Sequence, residues 1–315
     1  MGDKLKGKNA VVTGAGSGIG KAVSLALAEQ GANIVVCDLG GATDGTGTGT
    51  TLANETVKEC QKLGVKAVAQ YGSVADWNAS EAMIKACVSN FGRIDILVNV
   101  AGIDRARMVW NLSEQDWDMV IAVHLKGTFN MIRHAAPLMR DQKYGRIVNT
   151  ISEAWVGTVG HVNYGAAKGG IASLTYATAW EMGRYGVTCN AICPRAATRM
   201  TMGPEVLAGY KKRVETGLWT KERYEEVTHV ATADYLATIP AFLCSDEAAH
   251  INGCIFGASG AAFSIWAPAH ESIQFGRDWD KYGKWTWEEI AKCMPTLLKG
   301  YVNPAPPEAK KEEKK

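Results

Sequence analysis

The chain has 315 residues, 47% of them hydrophobic, and a formal net charge of +2. That length and apolar content suffice for one large domain with extensions, and the near-balanced charge leaves no basic stripe of the kind that tracks a nucleic-acid backbone. No apolar run reaches the roughly 18–20 residues of a membrane span, "MGDKLKGKNA" lacks the apolar centre of a secretory leader, and Lys6 stands where a myristoylation signal needs Ser or Thr.

In chain order, short apolar runs lie at 9–14, 33–38, 66–72, 95–102, 145–152, 187–194 and 252–259. They alternate with helical patterns such as "GKAVSLALAEQGA" and "SEAMIKACVSNFG". Near-continuous apolar strands are covered on both faces, and βα alternation gives parallel pairing through right-handed crossovers. The prediction is an α/β, doubly wound, seven-stranded parallel sheet with helices on both faces over residues 5–262. Residues 39–51, "LGGATDGTGTGTT", form a Gly/Thr-rich loop after the second strand that cannot pack a core, so it belongs near a ligand edge. Residues 263–303 read as a C-terminal extension. It carries Trp266, Trp279, Trp285 and Trp287, and a helix that starts at the N-cap Thr286 and packs on the body or on a neighbouring subunit. Residues 304–315 read as a disordered charged tail. The eight cysteines form no C-x-x-C and sit mostly in apolar runs, which suits buried thiols in a reducing cytoplasm. No His/Cys spacing suits a metal.

Residues 13–20, "TGAGSGIG", place four glycines between a strand and a helix. A strand, a Gly-rich turn and a helix N-terminus together make an anion site, because backbone N–H groups and the helix dipole converge on a pyrophosphate. Asp38 ends the next strand, where a carboxylate accepts hydrogen bonds from ribose hydroxyls and repels a 2′-phosphate. That combination predicts NAD rather than NADP. Further on, "YGAAK" places Tyr164 and Lys168 on one face at the start of a helix. An adjacent ammonium and a positively charged nicotinamide both favour phenolate over phenol, so Tyr164 can take a proton from an alcohol as hydride leaves.

TGxxxGxG, "NVAG" at 99–102, Ser152, YxxxK and "PRAAT" at 194–198 together resemble the short-chain dehydrogenase/reductase family over residues 5–262. The resemblance implies a Rossmann-type domain with Tyr164 as acid/base, Lys168 holding the nicotinamide ribose and depressing the tyrosine pKa, and Ser152 orienting the substrate oxygen. It places Asn99, Ala101 and Gly102 in support of the cofactor, Thr198 at the carboxamide and Pro194 at that turn. Thr13, Gly14, Ser17, Gly18, Ile19, Gly20, Asp38, Leu39, Ser73, Val74, Thr150 and Arg195 complete the expected cofactor set. Glu153, Trp155 and His161, between Ser152 and Tyr164, are expected to line the substrate pocket, under a lid at 200–236. A homotetramer is the family expectation.

Three positions depart from the family pattern. The usual Ser position, counted back from the tyrosine, is Ile151, whereas counting from the strand start gives Ser152, with Thr150 second. His124, in "VHLKG", stands where the family often has an Asn that seats the lysine through a water chain; it can do this, or pack with a ring nitrogen on the backbone. Arg195 replaces the usual Gly and either meets an anion or faces solvent.

"DLGG" with its insertion, Arg105 and Arg107, "WDMVIAVHLKGTF", "QKYGRI" and "RMT" resemble the dehydrogenase unit of the peroxisomal multifunctional β-oxidation enzymes, a group in which a His occupies the equivalent stretch. The resemblance implies NAD-dependent oxidation of a 3-hydroxyacyl-CoA, with Lys211, Lys212 and Arg213 as candidates for the CoA phosphates, and does not extend to a hydratase or sterol-carrier domain. Two alternatives stand beside it. One is a dehydrogenase of a cyclic or aromatic secondary alcohol or hydroxysteroid; the other is an inactive NAD-binding scaffold or sensor.

Overall fold

The computed structural model describes residues 2–300 apart from 218, 270, 272 and 283, so the predicted charged tail lies outside the described residues. Two compact units divide at residue 267. In the first, strands β1 (Asn9–Thr13), β2 (Asn33–Asp38), β3 (Ala67–Tyr71), β4 (Ile96–Asn99), β5 (Gly145–Thr150), β6 (Val187–Arg195), β7 (Ile255–Ser259) and β8 (Phe263–Ile265) form one sheet in the order β3-β2-β1-β4-β5-β6-β7-β8. The first seven pair in parallel, as predicted.

The alternation of apolar side chains explains why both faces are covered. Ala10 and Val12, Ile34 and Val36, and Ile96 and Val98 point into one core; Val11, Val35 and Leu97 point into the other. The first core receives helices α1 (Gly18–Glu29), α2 (Thr51–Lys62) and α10 (Thr238–Leu243). The second receives α3 (Trp77–Phe91), α5 (Gly127–Gln142) and the C-terminal part of α6 (Val162–Met182). The strand order reverses between β1 and β4, each of which pairs in register at Thr13 and Asn99. The crevice beyond the carboxyl ends of strands at such a reversal is where open α/β sheets bind ligands.

Two features were not predicted. β8 adds an antiparallel edge three residues past 262, held by a tight turn in which Ser259 N donates to Ala262 O at 2.9 Å. Three residues, "FSI", are too short to register as a strand in a one-dimensional pattern. The other feature is a single π turn, Ala122–Lys126, that joins α4 (Glu114–Ile121) to α5 without a break. Such turns are frequent at functional sites, and His124 stands in the middle of this one. Three short helices, α7 (Arg199–Met202), α8 (Pro204–Glu215) and α9 (Lys221–Thr228), contribute residues to the lining of the crevice.

The second unit contains α11 (Trp279–Tyr282) and α12 (Trp287–Leu297). Thr286 caps α12 as predicted: its Oγ1 accepts from Glu289 N at 3.2 Å, and the Glu289 carboxylate accepts from Thr286 N at 2.8 Å. This reciprocal pairing satisfies two otherwise orphaned N–H groups.

Candidate active site

The glycine turn between β1 and α1 is required by sterics. Gly14 and Gly18 have φ values of +63° and +54°, and a Cβ on Gly14 would lie 2.8 Å from Ala101 Cα. A Cβ on Gly20 would lie 2.1 Å from Gly14 O. Thr13 pins the turn to the end of β4, its Oγ1 accepting from Val100 N at 3.1 Å and Ala101 N at 3.2 Å. Asp38 ties the turn to the loop after β2: Oδ2 accepts from Gly16 N at 2.7 Å and Oδ1 from Gly40 N at 2.6 Å.

Ser17, Gly18, Ile19, Gly20, Asp38, Leu39, Ser73, Val74, Ala101, Gly102, Thr150, Pro194, Arg195 and Thr198 line one cavity of about 450 Å³ with Gly14. Thr13 and Asn99 sit behind its wall instead. Asn99 Nδ2 donates to Asn149 Oδ1 at 2.9 Å, and its Oδ1 is buried without a hydrogen-bond partner.

The same cavity continues past Ser152, Tyr164 and Lys168. The end of β5 and the first turns of α6 bring them together. Lys168 Nζ donates to Thr150 O at 2.7 Å and lies 5.4 Å from the centre of the Tyr164 ring. Tyr164 N donates to Oδ1 of the fully buried Asn163, whose Nδ2 donates to Arg105 O and Asp116 O, both at 3.2 Å. Asn163 thus fixes the backbone from which the phenol projects. Ser152, read by counting from the strand start, accepts from Ala154 N at 3.3 Å through its Oγ and pulls the Tyr164 pKa down.

Burial dominates the electrostatics here. It lowers the Lys168 pKa to about 7 and raises that of Tyr164 to about 12, with the Ser152 hydrogen bond pulling the other way. In the protein alone, burial is the largest influence on the tyrosine. The site is too dry for Lys168 to hold its charge firmly, so the lysine loses its proton more readily than the phenol does.

His124 is 2% exposed, its Nε2 lying 2.8 Å from Ile103 O and 3.0 Å from Ile103 N. Burial, then the Lys168 charge, push its pKa down to about 3, so the ring is neutral. It meets the Tyr164 ring edge-on at 5.1 Å and fills the space that a Cβ on Gly102 would need, 2.3 Å from Cε1. Of the two readings, the backbone-bonded one is what the geometry shows, with Nδ1 buried and unpaired.

The predicted substrate residues divide. Glu153 lines the cavity and holds Arg195, whose Nη2 lies 2.7 and 2.9 Å from the two carboxylate oxygens. Arg195 is thus ion-paired at an exposed position, its side chain facing solvent. Trp155 points away into a core cluster with Ile151, Ile171 and Ile255, meeting Trp266 edge-on at 5.5 Å. His161 sits behind the wall, its Nε2 3.5 Å from Asp104 Oδ1 and its ring 5.8 Å from that of Tyr164. Asp104 raises its pKa. Residues missed by sequence reasoning form the apolar half of the cavity: Ile103, Met119, Val123, Met200, Met202 and Val230.

The short chain dehydrogenase family model matches residues 8–206, from just before β1 into α8. The chain belongs to that family. As a short-chain dehydrogenase it is an oxidoreductase acting on CH–OH donors with a nicotinamide cofactor. It is 39% identical to hydroxyacyl-CoA dehydrogenase ChsB1 of Mycobacterium tuberculosis, over 88% of this chain and 86% of that one. It is 36% identical to peroxisomal multifunctional enzyme type 2 of Mus musculus over 97% of this chain, but covers 36% of that protein's length. Against the Drosophila melanogaster enzyme of the same name, identity is 48% over 65% of this chain and 34% of the other. The chain thus spans about a third of the length of these two multifunctional relatives. A crystal structure of a short chain dehydrogenase from Mycobacterium avium superposes with a TM-score of 0.78 at 36% identity, over 96% of this chain and 98% of that one. No helix among the described residues is long and apolar enough to cross a membrane.

Proposed function

We propose that this short-chain dehydrogenase oxidises a 3-hydroxyacyl-CoA to the 3-oxoacyl thioester with NAD⁺. The observation that carries the reading is the continuity of one cavity from the glycine turn and Asp38 to the Ser152–Tyr164–Lys168 wall. The residues fit a nicotinamide dinucleotide. The turn is stripped of side chains where a Cβ would collide, the first turn of α1 carries no acid, and the Asp38 carboxylate disfavours a 2′-phosphate. When bound, an oxidised nicotinamide supplies the hydride acceptor and a positive charge that favours phenolate. Tyr164 then takes the carbinol hydroxyl proton, Ser152 donates to the oxygen as it becomes a carbonyl, and Lys168 and Thr150 shape the ribose end.

The thioester part of the reading is supported by the name of the Mycobacterium tuberculosis relative and by two features of the site. The apolar half of the cavity suits an acyl chain. On the lid, Arg213 and Arg223 lie 4.9 and 6.0 Å from the Trp219 ring, and Arg223 also lines the cavity. Lys211 and Lys212 are exposed beside them. A cytoplasmic homotetramer accompanies this reading, supported by eight unpaired cysteines and by large apolar side chains such as Trp180, 83% exposed. Light scattering tests the tetramer.

The functional experiment supplies NAD⁺ with a 3-hydroxyacyl-CoA, with the corresponding free hydroxy acid, and with a cyclic secondary alcohol. Fast reduction of NAD⁺ with the CoA ester alone is the expected result. Turnover of the cyclic alcohol instead overturns the thioester reading, and reduction of NADP⁺ in preference overturns the role of Asp38.

A further inference from the structure

Two histidine rings meet Tyr164 edge-on, His124 at 5.1 Å and His161 at 5.8 Å. His124 is enclosed and neutral. His161 is part-exposed and brings a carboxylate with it. Asp104 Oδ1 is buried without a hydrogen-bond partner, and His161 Nε2 faces it at 3.5 Å. The other ring nitrogen, Nδ1, lies 3.2 Å from Val159 O. Both nitrogens therefore face acceptors. A neutral imidazole has one N–H and would turn a lone pair on one of the two oxygens; the imidazolium donates to both.

The backbone builds this placement in. Arg107 N donates to Gly160 O at 2.9 Å and Arg107 bridges to His161, so the segment after β4 runs beside the segment that enters α6. Asp104 N donates to Thr43 O at 2.9 Å, which holds the carboxylate from the other end. His161 is the N-cap residue of α6, whose first turn carries Tyr164. Asp104 favours the His161 proton, while burial and the Arg213 charge on α8 oppose it. At Tyr164, burial raises the pKa most, Ser152 lowers it, and the Asp104 charge and then Cys193 add to the rise. Tyr210 on α8 feels burial first, then Arg213 and Asp104. Lys168 Nζ stands 5.4 Å from the Tyr164 ring centre.

We propose that His161 is a positioning residue for the reaction: as an imidazolium it cancels the Asp104 charge beside Tyr164, and on losing its proton it leaves a bare carboxylate that holds the phenol protonated. This role rests on the reading of Tyr164 as the proton acceptor. A carboxylate near a phenol disfavours phenolate and a cation favours it, so the neutral pair leaves Tyr164 little net field and the unpaired Asp104 leaves it a full negative charge. Neither His161 nor Asp104 lines the cavity, and their influence on the substrate passes through Tyr164. Two titrations then oppose each other during oxidation. Rising pH favours loss of the phenol proton, while loss of the His161 proton raises the pH at which the phenol lets go. The pair thereby flattens the pH dependence of oxidation.

The test is the single-turnover rate of NAD⁺ reduction by a 3-hydroxyacyl-CoA, from about pH 6 to 9, in the wild type, His161→Gln and the double variant His161→Gln/Asp104→Asn. At the acid end His161→Gln is slower by about tenfold, the equivalent of one pH unit of phenol ionisation. The ratio of wild type to variant falls toward one as pH rises through the His161 titration, which the imidazole NMR signal of the wild type locates independently. Lys168, with its pKa lowered to about 7 by burial, is common to all three proteins and cancels in the ratio. The double variant, with both charges gone, recovers the wild-type rate at the acid end. A deficit that is constant across the pH range, the absence of a deficit, or a double variant as slow as His161→Gln overturns the role of His161 while leaving Tyr164 in place. Tyr164→Phe, run alongside, separates the two: turnover near the wild-type rate in that variant overturns the assignment of Tyr164, and the role of His161 with it.

Discussion

Replacing Lys168 by methionine should make the protein more stable near neutral pH while abolishing turnover. Lys168 is 3% exposed, and its pKa falls from 10.5 to about 7 because burial penalises the ammonium. At 1.36 kcal/mol per pH unit, that gap corresponds to about 4–5 kcal/mol. The sign follows from proton binding. Below pH 7 the lysine is charged in both states and the folded state carries the whole penalty. Between about pH 7 and 10.5 the folded protein holds the neutral amine while the unfolded chain holds the proton, so stability rises with pH. Methionine removes the penalty but leaves Thr150 O, which Lys168 Nζ contacts at 2.7 Å, without a donor, at a cost of about 1–3 kcal/mol. The net gain at pH 6 is therefore roughly 1–4 kcal/mol, by difference of these two figures. Chemical denaturation of both proteins from pH 6 to 9 measures it. Neither neighbour confounds the comparison: His124, with its pKa pushed down to about 3, is neutral throughout this range, and Tyr164, pushed up to about 12, keeps its proton. The expected advantage of Lys168→Met shrinks steadily as pH rises. A variant less stable than wild type at pH 6, or a difference flat across the range, would refute the claim that the lysine is held against a desolvation penalty.

Asp38→Ala should weaken NAD⁺ and NADP⁺ together, because one carboxylate oxygen holds the glycine turn at Gly16 N and the other holds the loop after β2 at Gly40 N. Losing two such bonds costs roughly 2–4 kcal/mol of stability, and titration calorimetry with both cofactors separates this anchoring from ribose selectivity. Gly20→Ala should abolish dinucleotide binding and lower Tm by several degrees, since its Cβ would sit 2.1 Å from Gly14 O; a variant that binds normally contradicts the close approach. Asp104→Asn should lower the pKa of His161, which Asp104 raises. The raised pKa contributes stability that is present below the unfolded value and lost as pH rises through the folded one. That contribution should therefore disappear from the acid side of the Asp104→Asn stability profile, and an unchanged imidazole titration by NMR would sink the pairing.

Parts of the site were legible because local sterics and spacing wrote them into short stretches. The glycines of "TGAGSGIG" are forced by backbone collisions with Ala101 and with the turn itself. Four residues of helix place Tyr164 and Lys168 on one face. Tertiary packing decided the rest. Trp155 lies between two pocket-facing residues in sequence, yet turns into the core against Trp266, a contact across 111 residues that no local pattern encodes. Met119 and Val123 carry no local signal that sets them apart in sequence, but the cavity reaches them. His124 stands in a π turn inside what reads as one helix. The Arg195–Glu153 pair joins the ends of two different strands, so sequence supplied the charges without the partner.

The most direct test of the central claim, that Tyr164 is the proton acceptor in alcohol oxidation, is turnover by Tyr164→Phe alongside its dinucleotide affinity. Phenylalanine keeps the ring that packs edge-on against His124 and removes only the hydroxyl that Ser152 meets. A fall in kcat of about 10²–10⁴, with ADP-ribose bound as tightly as by the wild type, is the predicted result. Turnover within a few-fold of wild type would contradict the assignment.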